Sequence, residues 1–229
     1  MSVTRIIAGL ALAATVLSGC AGGETGTAPI YRQIFEATKG SIQKNRARKA
    51  APPPLTRAAL SEVTDPYVEV TLERSGITAY LFQSTRRGDE IPGEIVQWRT
   101  DDEVTITTRA GMVIATRGLG GDLLSASVPA AAGIIGPARG GERQLDVRTG
   151  DLEVAQLTLA CELEDRGAAS VEIVELRHPA RHLVERCAVS GGGRVENEYW
   201  VDQSAGIVWQ SVQWAGPHVG YLKIRRLTK

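Results

Sequence analysis

The sequence has little cysteine, few aromatic side chains and no excess of charge of either sign. Of its 229 residues, 3 are Cys, 5% are aromatic, and 26 basic residues balance 26 acidic ones. The balance argues against a nucleic-acid-binding protein, because such proteins normally carry a clearly basic domain. The apolar run at residues 6–17 is too short to cross a bilayer as a helix, which needs about 20 apolar residues.

Motifs that would identify an enzyme are missing as well. The sequence has no Gly-x-Ser-x-Gly nucleophile elbow and no phosphate-binding loop. The glycine-rich residues 118–121 lack the third glycine and the following helix of a dinucleotide fingerprint, which favours a turn. Carboxylates are common in turns and on the solvent faces of strands, so we assign no glycosidase role to Asp101, Asp102, Glu103, Asp146 or Asp151. We expect a protein that is not an enzyme and has no catalytic residues.

Two histidines deserve a separate test as metal ligands. His178 and His182 are four residues apart, and on a helix this spacing could place both imidazoles on one metal ion. Pro179 lies between them and the flanking residues are strand-like, so the pattern predicts a turn. We therefore expect neither a metal site nor a cofactor.

The amino terminus carries the most specific pattern of the chain. Arg5 precedes the apolar run, and residues 17–20 (Leu-Ser-Gly-Cys) follow it, as in a secretory signal peptide. These four residues resemble a bacterial lipobox, which implies lipidation of the Cys20 thiol, cleavage before Cys20 and acylation of the new amino terminus. Several acyl chains together give stable membrane anchoring. The alternative is an ordinary signal peptide with an accidental Cys at its edge.

The lipobox resemblance also predicts the organisation of the amino-terminal region and its location. Residues 1–19 would be the signal peptide, and residues 20–29 a lipidated flexible tether rich in small residues. Residue 21 is Ala, whereas an Asp there tends to hold such lipoproteins at the inner membrane. The resemblance therefore implies the outer membrane, with the protein facing the periplasm.

The two other cysteines form an even pair in a compartment that permits disulfides. A bond between Cys161 and Cys187 would close a loop of about 27 residues and contribute about 3 to 4 kcal/mol in the chain-entropy model. Both lie in segments that we predict to be strands. The alternative is two buried free thiols.

Residues 30–63 form an N-terminal helical segment in our interpretation. Its first part, to residue 51, is basic and carries an imperfect apolar stripe, and residues 56–63 suit a second short helix. The basic residues would contact anionic lipid head groups near the anchor. The alternative is a helix face that is simply solvated.

Residues 64–229 predict an antiparallel β domain. Short alternating segments are separated by turn residues at intervals of about 8 to 12 residues, which is typical of a sandwich or barrel. The predicted strands are residues 67–73, 77–84, 94–100, 103–109, 112–116, 144–148, 154–163, 170–176, 182–189, 196–201, 206–214 and 219–227. Residues 127–141 predict a long apolar loop. The fold class is mainly β, an antiparallel twisted barrel-like or half-open sheet with an N-terminal helix.

The few aromatic residues are concentrated near the carboxyl terminus. One hypothesis makes them a platform for sugar rings or a contact with a partner protein. The alternative is core packing, since Trp and Tyr bury large areas. The candidates are Trp98, Tyr199, Trp200, Trp209 and Trp214. Alternation puts Tyr199 and Trp200 on opposite faces, and likewise Trp209 and Trp214 if their strand is regular.

Several segments together resemble one family. They are residues 55–60, 98–102, 106–124, 196–202 and 206–211. In this order they resemble the YjbF/GfcB family of outer-membrane lipoproteins, which accompany operons for capsule or exopolysaccharide production and export. The resemblance runs from about residue 55 to the end of the chain. It supplies no catalytic residue.

Three functions remain open at this point. The first is a non-enzymatic lipoprotein that helps to assemble, hold or export a polysaccharide, with glycan or an outer-membrane export protein as partner. The second is a periplasmic carrier of lipids or lipoproteins with a half-open barrel. The third is a polysaccharide hydrolase. An aliphatic pocket would favour the second, and a groove with exposed Trp and two facing carboxylates the third.

Overall fold

The computed structural model describes residues 55–149 and 153–228, which form one short helix and a single antiparallel sheet. The elements are α1 (Arg57–Ser61), β1 (Tyr67–Leu72), β2 (Ile77–Arg87), β3 (Ile95–Arg99), β4 (Thr105–Arg109), β5 (Met112–Arg117), β6 (Leu123–Ser127), β7 (Gly141–Arg148), β8 (Val154–Ile173), β9 (Leu176–Val189), β10 (Arg194–Asp202), β11 (Ile207–Trp214) and β12 (Tyr221–Arg226). The signal peptide, the tether, Cys20, Asp151 and the helix up to residue 51 lie outside the described residues.

The strand order brings the two ends of the described chain together. Hydrogen-bonded neighbours are consecutive in sequence except where β1 pairs with β12, so β5 and β6 form the two edges of the sheet. Residues 118–122 connect these edges, and the Leu123 N–H of β6 donates to Thr116 Oγ1 of β5 at 3.0 Å. The sheet is rolled into a nearly closed barrel. The predicted mainly-β, antiparallel, barrel-like fold is confirmed.

Apolar side chains from both halves of the sheet meet inside the roll. Val70 of β1 and Trp98 of β3 belong to the same cluster as Leu145 of β7 and Leu159 of β8. A flat sheet would hold these strands far apart, so the contact follows from the rolling. We call this set the inner cluster; its buried members are Val68, Val70, Leu81, Trp98, Ile106, Val113, Leu123, Leu145, Val147, Leu159, Cys161, Cys187, Val195, Ala215, Val219, Leu222 and Ile224.

A second cluster lies on the outer face of the sheet, under α1 and the end of the β8–β9 hairpin. Its buried members are Leu60, Tyr67, Val171, Ile173, Trp209 and Leu227, and we call it the outer cluster. Arg57 of α1 donates hydrogen bonds to the carbonyl oxygens of Ile173 at 3.0 Å, Val174 at 3.3 Å and Leu227 at 3.3 Å. These bonds tie the helix to the hairpin and to the last strand.

The β8–β9 hairpin departs from the prediction. The sequence predicts two strands at residues 154–163 and 170–176, whereas β8 is continuous from Val154 to Ile173. A bulge shifts its register between Asp165 and Ala168, and Gly167 there has a φ of +91°. A bulge bends a strand without ending it, which is why the local turn signal misled the prediction.

The turn predicted around His178 and His182 is wrong, because both lie within β9. The turn falls instead at Val174 and Glu175, whose φ values are +42° and +67° without the usual glycine or asparagine. Pro179 is tolerated because β10 pairs only with residues 181–188 of β9, so the missing N–H faces no partner strand.

The long loop between β6 and β7 matches the apolar loop predicted at residues 127–141, although β6 itself was not predicted. Val128, Ala130 and Ile135 of the loop pack against a buried cluster that includes Met112 and Tyr199. The Gln203 side chain accepts from the Ile135 N–H at 3.0 Å and donates to the Ile135 carbonyl at 2.7 Å. Nearby, a Cβ on Gly111 would lie 2.4 Å from Val208 Cγ2, so this turn requires glycine.

Candidate functional site

Two adjoining clefts lie on the outer face of β2 to β5. The floor of the first cleft is a row of side chains that are direct partners across the ladder: Thr85 with Gln97, Gln97 with Thr107, and Thr107 with Ala115. The intervening Trp98 and Ile106 point into the inner cluster, so the row faces outward. The clefts share Thr85 and Gln97 and together form what we call the outer clefts.

The first cleft has one apolar side. Its volume is about 390 Å³, and β6 supplies one wall through Leu124, Ser125 and Ala126. Ile95 and Ile114 add aliphatic surface to the hydroxyl and amide groups of the floor. Leu124 is 36% exposed although it is a large apolar residue. This cleft therefore offers hydrogen-bonding groups beside an apolar patch.

The second cleft is polar and positively charged. Its volume is about 350 Å³, and it is lined by Ser84, Thr85, Gln97, Arg99, Glu103, Thr105 and Arg117. Arg87 lines the first cleft. Three guanidinium groups thus face one carboxylate, Glu103, among the residues that line the outer clefts.

Arg99 is the most constrained of these arginines. Its Nη1 donates to Glu103 Oε1 at 2.7 Å, and its guanidinium lies 5.2 Å from the centroid of the Phe82 ring. Its Nε is buried and has no hydrogen-bond partner among the described residues. A buried polar group without a partner costs free energy. The sequence held one signal for this surface, the alternation of Thr105 and Thr107 with Ile106, which marks a polar outer face.

Three of the five predicted aromatic candidates are buried. The exposed fractions of Trp98, Tyr199 and Trp209 are 5%, 0% and 3%, so these rings offer no open face to a glycan and core packing accounts for them. Trp98 is covered by Arg226, whose guanidinium lies 4.7 Å from the ring centroid. Burial lowers the pKa of Arg226 to about 10.

Trp200 and Trp214 are half-buried. Trp200 packs against the outer cluster and Trp214 against the inner cluster. A bulge leaves Trp209 unpaired between Val208 and Gln210, so β11 is not the regular strand assumed for alternation. Surface contact with a glycan or partner is therefore open to Trp200 and Trp214.

The histidines contact tryptophans instead of each other. The His178 ring stacks on Trp209 at a centroid distance of 3.7 Å, and His182 stacks on Trp200 at 4.5 Å. His182 Nε2 also lies 2.7 Å from Glu198 Oε2. Four residues of extended strand span about 13 Å. His178 and His182 in β9 are therefore too far apart for both imidazoles to bind one metal ion.

Three of the carboxylates considered from the sequence, Asp102, Glu103 and Asp146, are engaged in local hydrogen bonds. Asp102 accepts from the Thr100 hydroxyl in the β3–β4 turn, and Glu103 is paired with Arg99. Asp146 accepts from Ser125 Oγ at 2.6 Å and from Gln156 Nε2 at 3.2 Å. These contacts fix turns and strand pairs.

A buried polar cluster that the sequence did not reveal lies inside the barrel. We call it the inner network; its members are Arg143, Glu185, Asn197, Tyr199 and Gln213. Arg143 Nε and Nη2 contact the two Glu185 oxygens at 2.9 and 2.7 Å, and Nη2 donates to the Tyr199 hydroxyl at 3.1 Å. Asn197 Nδ2 donates to Glu185 at 2.9 Å, and the Tyr199 hydroxyl donates to Gln213 Oε1 at 3.2 Å. Burial raises the pKa of the Tyr199 phenol.

The inner network also supports an edge of the sheet. Gln213 Oε1 accepts from the Val113 N–H at 2.8 Å, and its Nε2 donates to the Gly111 carbonyl at 2.9 Å. These two backbone groups belong to β5 and the turn before it, at the edge that has no hydrogen-bonded strand beyond it. The network therefore holds the rolled edge in place.

Cys161 and Cys187 are direct partners in the β8–β9 ladder and are joined in a disulfide, with a Cα–Cα distance of 4.0 Å. Their sulfur atoms and a Glu185 oxygen lie within 4.8 Å of one another. Sulfur atoms bonded to each other are not thiolates, so this trio does not supply the anionic sulfur ligands that a metal site needs.

Comparisons with known proteins agree with this architecture. A solved structure from Escherichia coli K12, titled as the hypothetical lipoprotein YmcC, superposes with a TM-score of 0.65 over 89% of this chain and 97% of that chain, at 17% identity. This likeness shows a shared fold. None of the curated proteins matches the chain. Among residues 55–149 and 153–228, no helix is both long and apolar enough to span a membrane.

A family model matches residues 32–227, which is most of the chain. Its description is group 4 capsule polysaccharide lipoprotein gfcB, YjbF. The resemblance found in the sequence motifs is confirmed, and the chain belongs to the YjbF family of capsule polysaccharide lipoproteins.

Proposed function

We propose that this protein is a non-enzymatic accessory factor in the production and export of a capsule or exopolysaccharide. The observation that carries the proposal is the family match over residues 32–227. In this proposal Cys20 carries the lipid anchor, and Ala21 directs the protein to the outer membrane, where it faces the periplasm. The lipobox residues 17–20 and the lipoprotein description of the family support the anchor.

The chemistry of the outer clefts supports a binding role over hydrolysis. Glycosidases of the usual kind need a pair of carboxyl groups on either side of the scissile bond. Among the residues that line the outer clefts, Glu103 is the one carboxylate, and Arg99 pairs with it at 2.7 Å. The described barrel interior is filled by the inner cluster and the inner network, which gives the lipid-carrier hypothesis no specific support.

Deletion of the gene tests the proposed function. Cells without the protein should secrete less polysaccharide by weight, and expression of the wild-type chain should restore the yield. An unchanged yield in the deletion strain would refute the accessory role.

Two variants test the anchor and its location. Cys20→Ser should incorporate no labelled palmitate and should leave the membrane fraction. Ala21→Asp should keep the lipid but move the protein to inner-membrane fractions of a density gradient. Palmitate in Cys20→Ser, or an Ala21→Asp protein that remains in outer-membrane fractions, would refute the corresponding part of the proposal.

A further inference from the structure

The outer clefts form a continuous surface that crosses four strands. Neighbouring strands lie about 4.8 Å apart, so the row from Thr85 to Ala115 runs about 14 Å across β2 to β5. The two volumes of about 390 and 350 Å³ adjoin at Thr85 and Gln97, which line both clefts. A surface of this length and openness suits a short stretch of a linear polymer.

The side chains of this surface match the chemistry of a sugar. Thr85, Gln97 and Thr107 present hydroxyl and amide groups that both donate and accept hydrogen bonds. Leu124 and Ile114 offer apolar surface along one side, where the C–H face of a sugar ring would lie. Hydrogen bonding would supply most of the recognition.

The charges of the surface indicate that the polymer is acidic. Arg117 is exposed and forms no ion pair within the described residues, and the 36% exposed Arg99 side chain has guanidinium N–H groups beyond the one bonded to Glu103. Guanidinium groups bind carboxylates with paired, charge-assisted hydrogen bonds. We propose that the outer clefts bind a stretch of acidic, uronate-bearing glycan, with Arg99 and Arg117 contacting its carboxylates. The inference rests on the proposed function for its choice of a polysaccharide ligand.

Binding by the purified full chain tests the inference. The probes are oligogalacturonate and oligomannuronate, with methyl-esterified oligogalacturonate as the matched probe without charge. Calorimetry should detect saturable binding of at least one acidic oligomer and binding of the ester at least about tenfold weaker, the usual effect of losing one charge-assisted hydrogen bond. No binding of either acidic oligomer, or equal affinity for acid and ester, would overturn the proposal.

Variants assign the binding to the clefts. Arg99→Gln and Arg117→Gln should each weaken it about tenfold or more, and Thr107→Val should weaken it less. Arg194→Gln is the matched control, because Arg194 is exposed, lies outside the clefts and makes no ion pair among the described residues. Arg117 is itself exposed and unpaired, so its variant should fold even if Arg99→Gln does not. Wild-type affinity in folded Arg117→Gln and Thr107→Val would refute the assignment.

Two further comparisons separate the alternatives. Complete displacement of the oligomer by an equal concentration of inorganic phosphate would overturn the glycan part, because the clefts would then recognise an isolated anion. A deletion strain with normal polysaccharide yield would refute the proposed function while leaving measured binding intact. A deletion strain with low yield, together with wild-type binding by Arg117→Gln and Thr107→Val, would refute the cleft inference alone.

Discussion

Arg143 and Arg99 lie on opposite faces of the same rolled sheet, and they differ in how many hydrogen-bond partners the fold gives each guanidinium group. Inside the barrel, Arg143 meets both oxygens of Glu185 and the Tyr199 hydroxyl, and Glu185 is 0% exposed. On the outer face, Arg99 has one carboxylate contact and a buried Nε without a partner among the described residues. A buried guanidinium that is paired within the fold serves the fold, whereas the side chain of Arg99 is 36% exposed and its guanidinium has N–H groups beyond the one bonded to Glu103.

Removal of one partner from the inner network should lower the free energy of unfolding more than any other change considered below. Arg143→Met leaves the Glu185 carboxylate buried without its cation, which should lower the free energy of unfolding by about 3 to 5 kcal/mol. Urea denaturation measures the loss. The matched control is Arg177→Met, whose pair with Glu172 is exposed and should cost at most about 1 kcal/mol.

The double variant Arg143→Met/Glu185→Leu sharpens the same comparison. Replacement of both charges by apolar groups should recover much of the loss, because no buried charge then remains. Equal losses in Arg143→Met and Arg177→Met would contradict the structural role of the inner network.

Loss of a buried side chain from the outer cluster should destabilise the protein as much as the loss of an apolar side chain inside the barrel, although the cluster lies on the outer face. Trp209→Ala removes a ring that is 3% exposed and stacked on His178, and should cost about 3 to 5 kcal/mol. Trp200→Ala, at a half-buried ring on the next strand, should cost less. Thermal melting of both variants checks this order. A Trp209→Ala protein that melts like wild type would show that the helix and hairpin do not cover this face tightly.

The disulfide should contribute less to the free energy of unfolding than the buried groups above. It closes a separation of 26 residues, for which the chain-entropy model gives about 3 to 4 kcal/mol, at the low end of the losses above. The double variant Cys161→Ala/Cys187→Ala should lose about this amount in urea denaturation. Alkylation of denatured, unreduced wild-type protein should modify no Cys among residues 55–149 and 153–228. Two modified thiols in periplasmic protein would contradict the bond.

The sequence predicted the sheet better than it predicted the site. Alternation and turn residues locate eleven of the twelve strands, although they split β8 in two at Gly167. Alternation is a local property, and rolling is not, because it depends on which side chains meet across the barrel. Arg143 and Glu185 occupy ordinary alternating positions 42 residues apart. No local feature of the sequence therefore shows that their side chains meet inside the barrel. The first cleft arises in the same way, because residues 124–126 of β6 line it together with Ile114 and Ala115 of β5.

An ion pair near the outer clefts should have the smallest effect on stability, and this effect should depend on pH. Arg109 donates to the two Asp89 oxygens at 2.8 and 2.7 Å and also to the Ile91 carbonyl at 2.9 Å, which holds the β2–β3 loop against β4. The hydrogen bonds from Arg109 lower the pKa of Asp89 to about 2, below its ordinary value of 3.8. The folded form therefore binds this proton less readily than the unfolded form does. The pair stabilises the fold above about pH 4, and the contribution is lost as the pH falls toward 2.

Asp89→Asn tests this dependence, because the amide keeps the shape of the side chain and loses its charge. The melting temperature of the variant should lie slightly below that of wild type at pH 6, and the gap should close between pH 4 and pH 2. Thermal melts of both proteins across this range measure it. A gap that stays constant with pH would show that Asp89 holds the loop through shape or neutral hydrogen bonds. In that case this outer-face pair would resemble the inner network, whose role depends on satisfied contacts, more than Arg117, which is exposed in the clefts and forms no ion pair among the described residues.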